Sequence, residues 1–124
     1  FDALILCKFL RKAMGDIFEE GAGLLEAVTG VPTRGDDLRA AARRIVLLRR
    51  MFNLREGWTA AEDTLPARFF DTALATGASK GAVLSRARLG ALIAAYYAAR
   101  GLRDDGSAPP ALLAAAGLLT PRGP

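Results

Sequence analysis

The chain has 124 residues, enough for one ordinary domain with a modest core, and 52% of them are hydrophobic. Alanine and leucine supply much of that share and β-branched residues are few, which favours helices over sheets. One cysteine and no histidine exclude an internal disulfide, a Ser-His-Asp triad, a Cys-His pair and a self-contained zinc site, and the formal net charge is +4.

No run approaches the roughly 18–20 unbroken apolar residues that a membrane span needs. Asp2 and Cys7-Lys8 interrupt the first apolar stretch and no small-residue cleavage site follows, so the start does not read as a signal peptide. The expectation is a cytoplasmic protein with no membrane contact. Because the sequence opens on Phe1 rather than Met, a piece of a longer polypeptide or a processed product is also expected.

From Leu4 to about Glu20 the pattern suits a helix, with Leu6, Phe9, Leu10, Ala13 and Ile17 on one face and Gly15 as a point of weakness. A second apolar segment, Ala22 to Val28, closes at Gly30, which suits a left-handed helix end, and Pro32 stops continuation. The longest helix is predicted from about Asp36 to Arg55, with Thr33 or Asp36 as N-cap and Gly57 as its end. Its stripe of Leu38, Ala42, Ile45, Leu48 and Phe52 reads as core-facing, and Asp36 and Asp37 suit the positive end of its dipole.

Thr59 to Glu62 has the spacing of a capping box, and Pro66 starts a short helix through Phe70. Residues 75 to 81 read as a loop, followed by a helix from about Ser85 to Arg100 that packs through Leu89, Leu92, Ile93, Tyr96 and Tyr97 and ends at Gly101. Buried tyrosine hydroxyls on that face would need partners. Asp104-Asp105-Gly106 is a turn, Pro109-Pro110 opens a last helix that Gly117 ends, and residues 119–124 should fray. The predicted fold is all-α: about five or six helices packed as a single orthogonal-type bundle around one long central helix, in a single domain spanning residues 1–124.

Six arginines lie between positions 39 and 55. A nucleic-acid contact through this helix is one reading, but the solvated face of an amphipathic helix, or contacts to a neighbouring domain, is favoured over it. Cys7 taken alone reads as a small hydrophobe.

Several phrases then combine in one order. Asp2-x-x-x-x-Cys7-Lys8-Phe9 is followed by Leu25-x-Ala27-Val28-Thr29-Gly30, Arg44-Ile45 and Arg50-x-Phe52-Asn53-x-Arg55-Glu56-Gly57. Asp63-x-Leu65-Pro66-x-Arg68-Phe69 and Tyr96-Tyr97-x-x-Arg100-Gly101 complete the series. From Asp2 to about Leu118 this order and spacing resembles the C-terminal region of the tungsten-containing aldehyde ferredoxin oxidoreductase family.

The resemblance implies an enzyme that oxidises a small aldehyde to a carboxylic acid at a tungstopterin (tungsten or molybdenum) and passes electrons through a 4Fe-4S cluster to ferredoxin. The family motif is Asp-x-x-Gly-Leu-Cys, whose aspartate hydrogen-bonds the pterin and whose cysteine is the last of four cluster ligands. The matching positions are Asp2, Ile5, Leu6 and Cys7, so the implied cofactor residues are Asp2, Leu6, Cys7 and Lys8, with Cys7 the metal ligand. A carboxylate accepts hydrogen bonds from an aminopyrimidine edge, a thiolate is the usual ligand of cluster iron, and Lys8 would offset cluster charge.

Ile5 departs from the motif's glycine, and Arg43 and Arg49 stand where the family often has glutamate. No catalytic residue is expected in this chain, whose implied partners are the upstream domains of the same enzyme. Alone it should be inert and bind no cofactor, and its uncovered surfaces would allow a homo-oligomer. The rival readings are a helical interaction module without cofactors and a basic nucleic-acid-binding domain.

Overall fold

In the computed structural model, which describes residues 2–118, polar side chains decide where the first helix begins. Asp16 has extended backbone, and its carboxylate accepts from the N–H groups of Phe18 at 2.8 Å and Glu19 at 3.2 Å. Glu20 reaches back to accept from Gly15 N–H at 2.6 Å. These bonds satisfy donors that a helix start leaves open, and α1 runs Ile17–Thr29.

The helix-compatible segment from Leu4 to about Glu20 is therefore broken beside Gly15, its expected point of weakness, and only residues from Ile17 onward are α-helical. Residues before Asp16 make two 3-10 turns, Asp2–Leu4 and Lys8–Lys12, with extended backbone at Cys7 between them. Apolar periodicity suggested helix on both sides of the break, whereas the residues before the Asp16 cap form only 3-10 turns. The C-terminus of α1 follows expectation: Gly30 is left-handed at φ 70°, and the Thr29 hydroxyl donates to Leu25 C=O at 2.7 Å.

Helix α2, Gly35–Arg55, is the longest element. Neither Thr33 nor Asp36 caps it. Asp37 instead accepts from Arg34 N–H at 2.9 Å, and Glu19 of α1 accepts from Gly35 N–H at 3.2 Å. The Glu19 carboxylate fills the place where a side chain at position 35 would begin, so a larger residue there would displace it from the Gly35 N–H. Gly57 terminates the helix at φ 92°. The Thr59–Glu62 capping box forms as predicted, with Glu62 accepting from Thr59 N–H at 2.6 Å and Thr59 accepting from Ala61 N–H at 3.2 Å.

Three helices follow: α3, Arg68–Asp71; α4, Arg86–Arg100; and α5, Pro110–Ala115. Ser85 caps α4 by accepting from Arg88 N–H at 3.1 Å, Gly101 ends it at φ 68°, and Pro110 occupies the first position of α5. The fold is all-α, with no strand among the described residues. The expected fraying of residues 119–124 lies outside those residues.

Contacts divide the chain into two compact units between Leu47 and Leu48. In the first, Gly21 and Ala22 are buried, and a Cβ on Gly21 would already lie 3.4 Å from Leu38 and 3.8 Å from Leu4. Small residues there let α1 approach both its neighbours. Arg39 of α2 joins Asp16 at 2.6 Å and lies 4.4 Å over the Phe18 ring, which ties α2 to the cap of α1. In the second unit Tyr97 and Ala108 are the buried apolar residues.

The apolar core is thin. Among the described residues, only Ala22, Leu47, Tyr97 and Ala108 are buried hydrophobics. The stripe read as core-facing on α2 is open at Ile45, Leu48 and Phe52, the last two 54% exposed. Leu92 and Tyr96, expected to pack on α4, are exposed as well, whereas Tyr97 is buried and Leu89 and Ile93 are half-buried. A helical period shows which side of a helix is apolar; it does not show that the same chain covers it.

Candidate functional site

The residues singled out by the sequence phrases lie in the two N-terminal turns. Asp2 opens the first turn and is exposed, and its backbone carbonyl accepts from Ile5 N–H at 3.1 Å. Leu6 is half-buried, Cys7 is a free, exposed thiol, and Lys8 begins the second turn exposed to solvent. The Asp2 carboxylate makes no hydrogen bond or ion pair with any described residue. The segment thus offers one carboxylate and one thiol, both accessible and neither engaged by a described residue.

Ile5 adopts φ 56° and is the only non-glycine residue with positive φ among the described residues. For a β-branched side chain this conformation is a genuine outlier and costs about 1–2 kcal/mol. The backbone has kept the shape that a glycine adopts freely, although the side chain is isoleucine. That side chain is 94% exposed, so no packing within the chain offsets the strain.

The second unit holds a different arrangement, one that spacing did not reveal. Asp63 receives the Tyr97 hydroxyl, Trp58 Nε1 at 2.8 Å and Arg50 Nη1 at 3.0 Å. Arg50 also donates from Nε to Gly106 C=O at 3.0 Å and from Nη2 to the Tyr97 hydroxyl at 3.2 Å. One guanidinium therefore connects α2, the loop after it, α4 and the turn at Gly106.

Gly106 sits at φ 74°, and a Cβ there would collide with the Arg50 guanidinium and the Tyr97 phenol. The turn needs glycine for both conformation and space. Burial pushes the Asp63 carboxyl up, but hydrogen bonds from Tyr97 and Trp58 and the Arg50 charge hold it below its ordinary value. Burial, and then the bond to Asp63, pushes the Tyr97 phenol up. Every strong donor and acceptor facing the cluster has a partner, as buried polar groups require.

Three of the sequence phrases meet here: Arg50 comes from one, Asp63 from another and Tyr97 from a third. Their chemistry is structural. The Arg55-Glu56-Gly57 phrase likewise ends α2, with Arg55 paired to Glu56 at 2.9 Å and Trp58 N–H donating to Asn53 C=O at 2.9 Å. Among the described residues, no three His, Cys, Asp or Glu side chains group to hold a metal ion, and no helix is long and apolar enough to cross a membrane.

These features define an all-α chain with one closed polar cluster around Arg50 and Asp63 and an open acid–thiol segment. The chain belongs to the aldehyde ferredoxin oxidoreductase family, since the family model for aldehyde ferredoxin oxidoreductase, domains 2 & 3, matches residues 1–118. It is 35% identical over 118 residues to a tungsten-containing aldehyde ferredoxin oxidoreductase of Pyrococcus horikoshii, covering 94% of this chain and 19% of that relative. A relative of the same description from Thermococcus kodakarensis is 34% identical over 109 residues, covering 87% of this chain and 17% of its own length. The chain thus spans about a fifth of the curated relatives it matches.

Proposed function

We propose that residues 1–124 form the C-terminal domain, a single helical piece, of a longer cytoplasmic aldehyde ferredoxin oxidoreductase. The observation that carries this reading is the family match across residues 1–118. In the proposed reaction an aldehyde becomes a carboxylic acid; water supplies the added oxygen, and two protons and two electrons leave, the electrons to ferredoxin. The relatives are described as tungsten-containing, and a tungstopterin with a 4Fe-4S cluster would supply the oxygen-transfer and electron-transfer chemistry when bound.

The chain's own residues fit part of that assembly. Cys7 is exposed and free, so its thiolate is accessible to iron. One thiolate fills one of four ligand positions, and the other three would come from elsewhere in the enzyme. Asp2 has an unengaged carboxylate able to accept hydrogen bonds from a pterin edge. Leu6 lies between them as the apolar neighbour, and the Lys8 ammonium would offset negative charge on a cluster. This domain contributes ligation and positioning, and no catalytic residue.

The longer enzyme, purified anaerobically, should reduce a viologen dye when given a small aldehyde. The isolated chain, cleared of adventitious metal, should not. Dye reduction by the isolated chain would contradict the assignment of a supporting role, and an inactive longer enzyme with its metals in place would contradict the activity.

A further inference from the structure

The chain's net positive charge resides on one helix. α2 carries Arg39, Arg43, Arg44, Arg49, Arg50 and Arg55 against Asp36 and Asp37, which leaves eleven basic and eleven acidic residues elsewhere. Arg39 has Asp36 one turn before it at 3.9 Å, but beyond Asp37 the helix has no acidic residue, so none of the other five arginines has a carboxylate one turn away on its own helix. Arg39 and Arg50 are spent inside the fold on Asp16 and Asp63, and Arg55 pairs with the adjacent Glu56. Arg43, Arg44 and Arg49 are exposed and make no ion pair among the described residues.

Between these charges runs the open apolar stripe. Ile45, Leu48 and Phe52 fall on one side of α2 at three- and four-residue steps. At about 100° per residue, Arg44 and Arg55 border that stripe on one flank and Arg49 on the other. Arg55 lies 5.0 Å over the Phe52 ring, so charge and apolar surface are in contact. Three exposed large apolar residues on one side of a helix, with arginines on both flanks, make a combined apolar and basic surface.

We infer that this face of α2 docks on an apolar surface with an acidic rim elsewhere in the same, longer polypeptide. The inference rests on the domain assignment proposed above. The chain accounts for only 17–19% of its relatives' length, so most of an enzyme of that size lies outside it and is available as cover. A second copy is a poor occupant, because it would set arginines against arginines, and like charges across an interface oppose association. A transient electron carrier would use the charges but leave much of the stripe wet, whereas apolar surface favours lasting burial at about 25 cal/mol per Å².

Carbodiimide couples lysine, but not arginine, to carboxylates at zero length, and the chain has only Lys8, Lys12 and Lys80. The variants R44K and R49K in the longer enzyme therefore place coupling amines on the two flanks at low background. R88K, on exposed α4, serves as control. Mass spectrometry should find links from positions 44 and 49 to Asp or Glu outside residues 1–124 of the same polypeptide, absent at position 88. Links to a separate acidic protein, links to an isotope-labelled second copy, links confined to residues 1–124, or no links at all would overturn the inference. Aldehyde oxidation by the unsubstituted enzyme reports on the domain assignment alone, so activity without such links removes the docking and leaves the assignment standing.

Discussion

The N-terminal turns and the Arg50–Asp63–Tyr97 cluster represent opposite states of polar chemistry in one chain. In the turns, Asp2 and Cys7 are exposed and unengaged, and Ile5 carries backbone strain with nothing packed on it. In the cluster, each donor meets an acceptor contributed by a different segment, and Gly106 leaves the space that the arrangement needs. The cluster is closed by described residues of one unit; the turns hold groups that no described residue engages. The residues of the proposed shared site and the residues of the cluster are thus separate sets, and they should respond differently to mutation.

Loss of the cluster should have the largest effect. Arg50→Ala leaves the Asp63 carboxylate half-buried without its cation and should destabilise the second unit by about 2–3 kcal/mol in chemical denaturation. Gly106→Ala should cost about 2 kcal/mol, from positive φ and from displacement of Arg50 and Tyr97. If both variants unfold at the same denaturant concentration as the parent chain, the cluster does not stabilise the unit.

Acid and base should act at opposite ends of the same cluster. The folded Asp63 carboxyl titrates below its unfolded value, so its contribution is present above the unfolded value and is lost as pH falls below about 4 through the depressed one. The folded Tyr97 phenol titrates above its unfolded value, so its contribution is present below about pH 10 and disappears as pH rises through the raised one. Denaturation midpoints measured across this range should be flat in the middle and fall at both ends, and Asp63→Asn should reduce the acid limb, to which Asp16, Glu62 and Asp105 also contribute.

The N-terminal turns should give the smallest response. Ile5→Gly relieves the left-handed strain and should be neutral or stabilising by up to about 1 kcal/mol, because glycine also loses more chain entropy on folding. Cys7→Ser, at an exposed position, should change stability by less than about 0.5 kcal/mol. A larger loss in either variant would mean that the turns are structural in their own right.

Local chemistry was readable from the sequence because it acts over a few residues. Gly30, Gly57 and Gly101 end helices as their spacing predicts, Thr59 and Glu62 form their capping box, and Pro110 opens α5. Gly15 marked the break before α1, but apolar periodicity did not show that Asp16 caps one helix running through Thr29, although a capping aspartate followed by Glu19 was present to be read. The cluster was hidden for a different reason. Arg50 and Asp63 are 13 residues apart and Asp63 and Tyr97 are 34 apart, distances at which no helical or strand period carries information.

At the candidate site, residue types alone marked Cys7 as ordinary, and only its place in the ordered family phrases carries the role proposed for it. Those phrases also showed isoleucine where the motif has glycine. They did not show that the backbone would still take glycine's conformation at φ 56°, a property of folded geometry. The exposure of Ile45, Leu48 and Phe52 was illegible for the same reason, since burial depends on what lies opposite.

The central claim is that this domain lends a thiolate to a cluster held mainly by the rest of the enzyme. Its most direct test is electron paramagnetic resonance of the dithionite-reduced longer enzyme, comparing the parent with Cys7→Ser. Loss or marked alteration of the 4Fe-4S signal, with the denaturation midpoint unchanged, is the predicted result; an identical cluster signal and iron content in the variant would contradict the account.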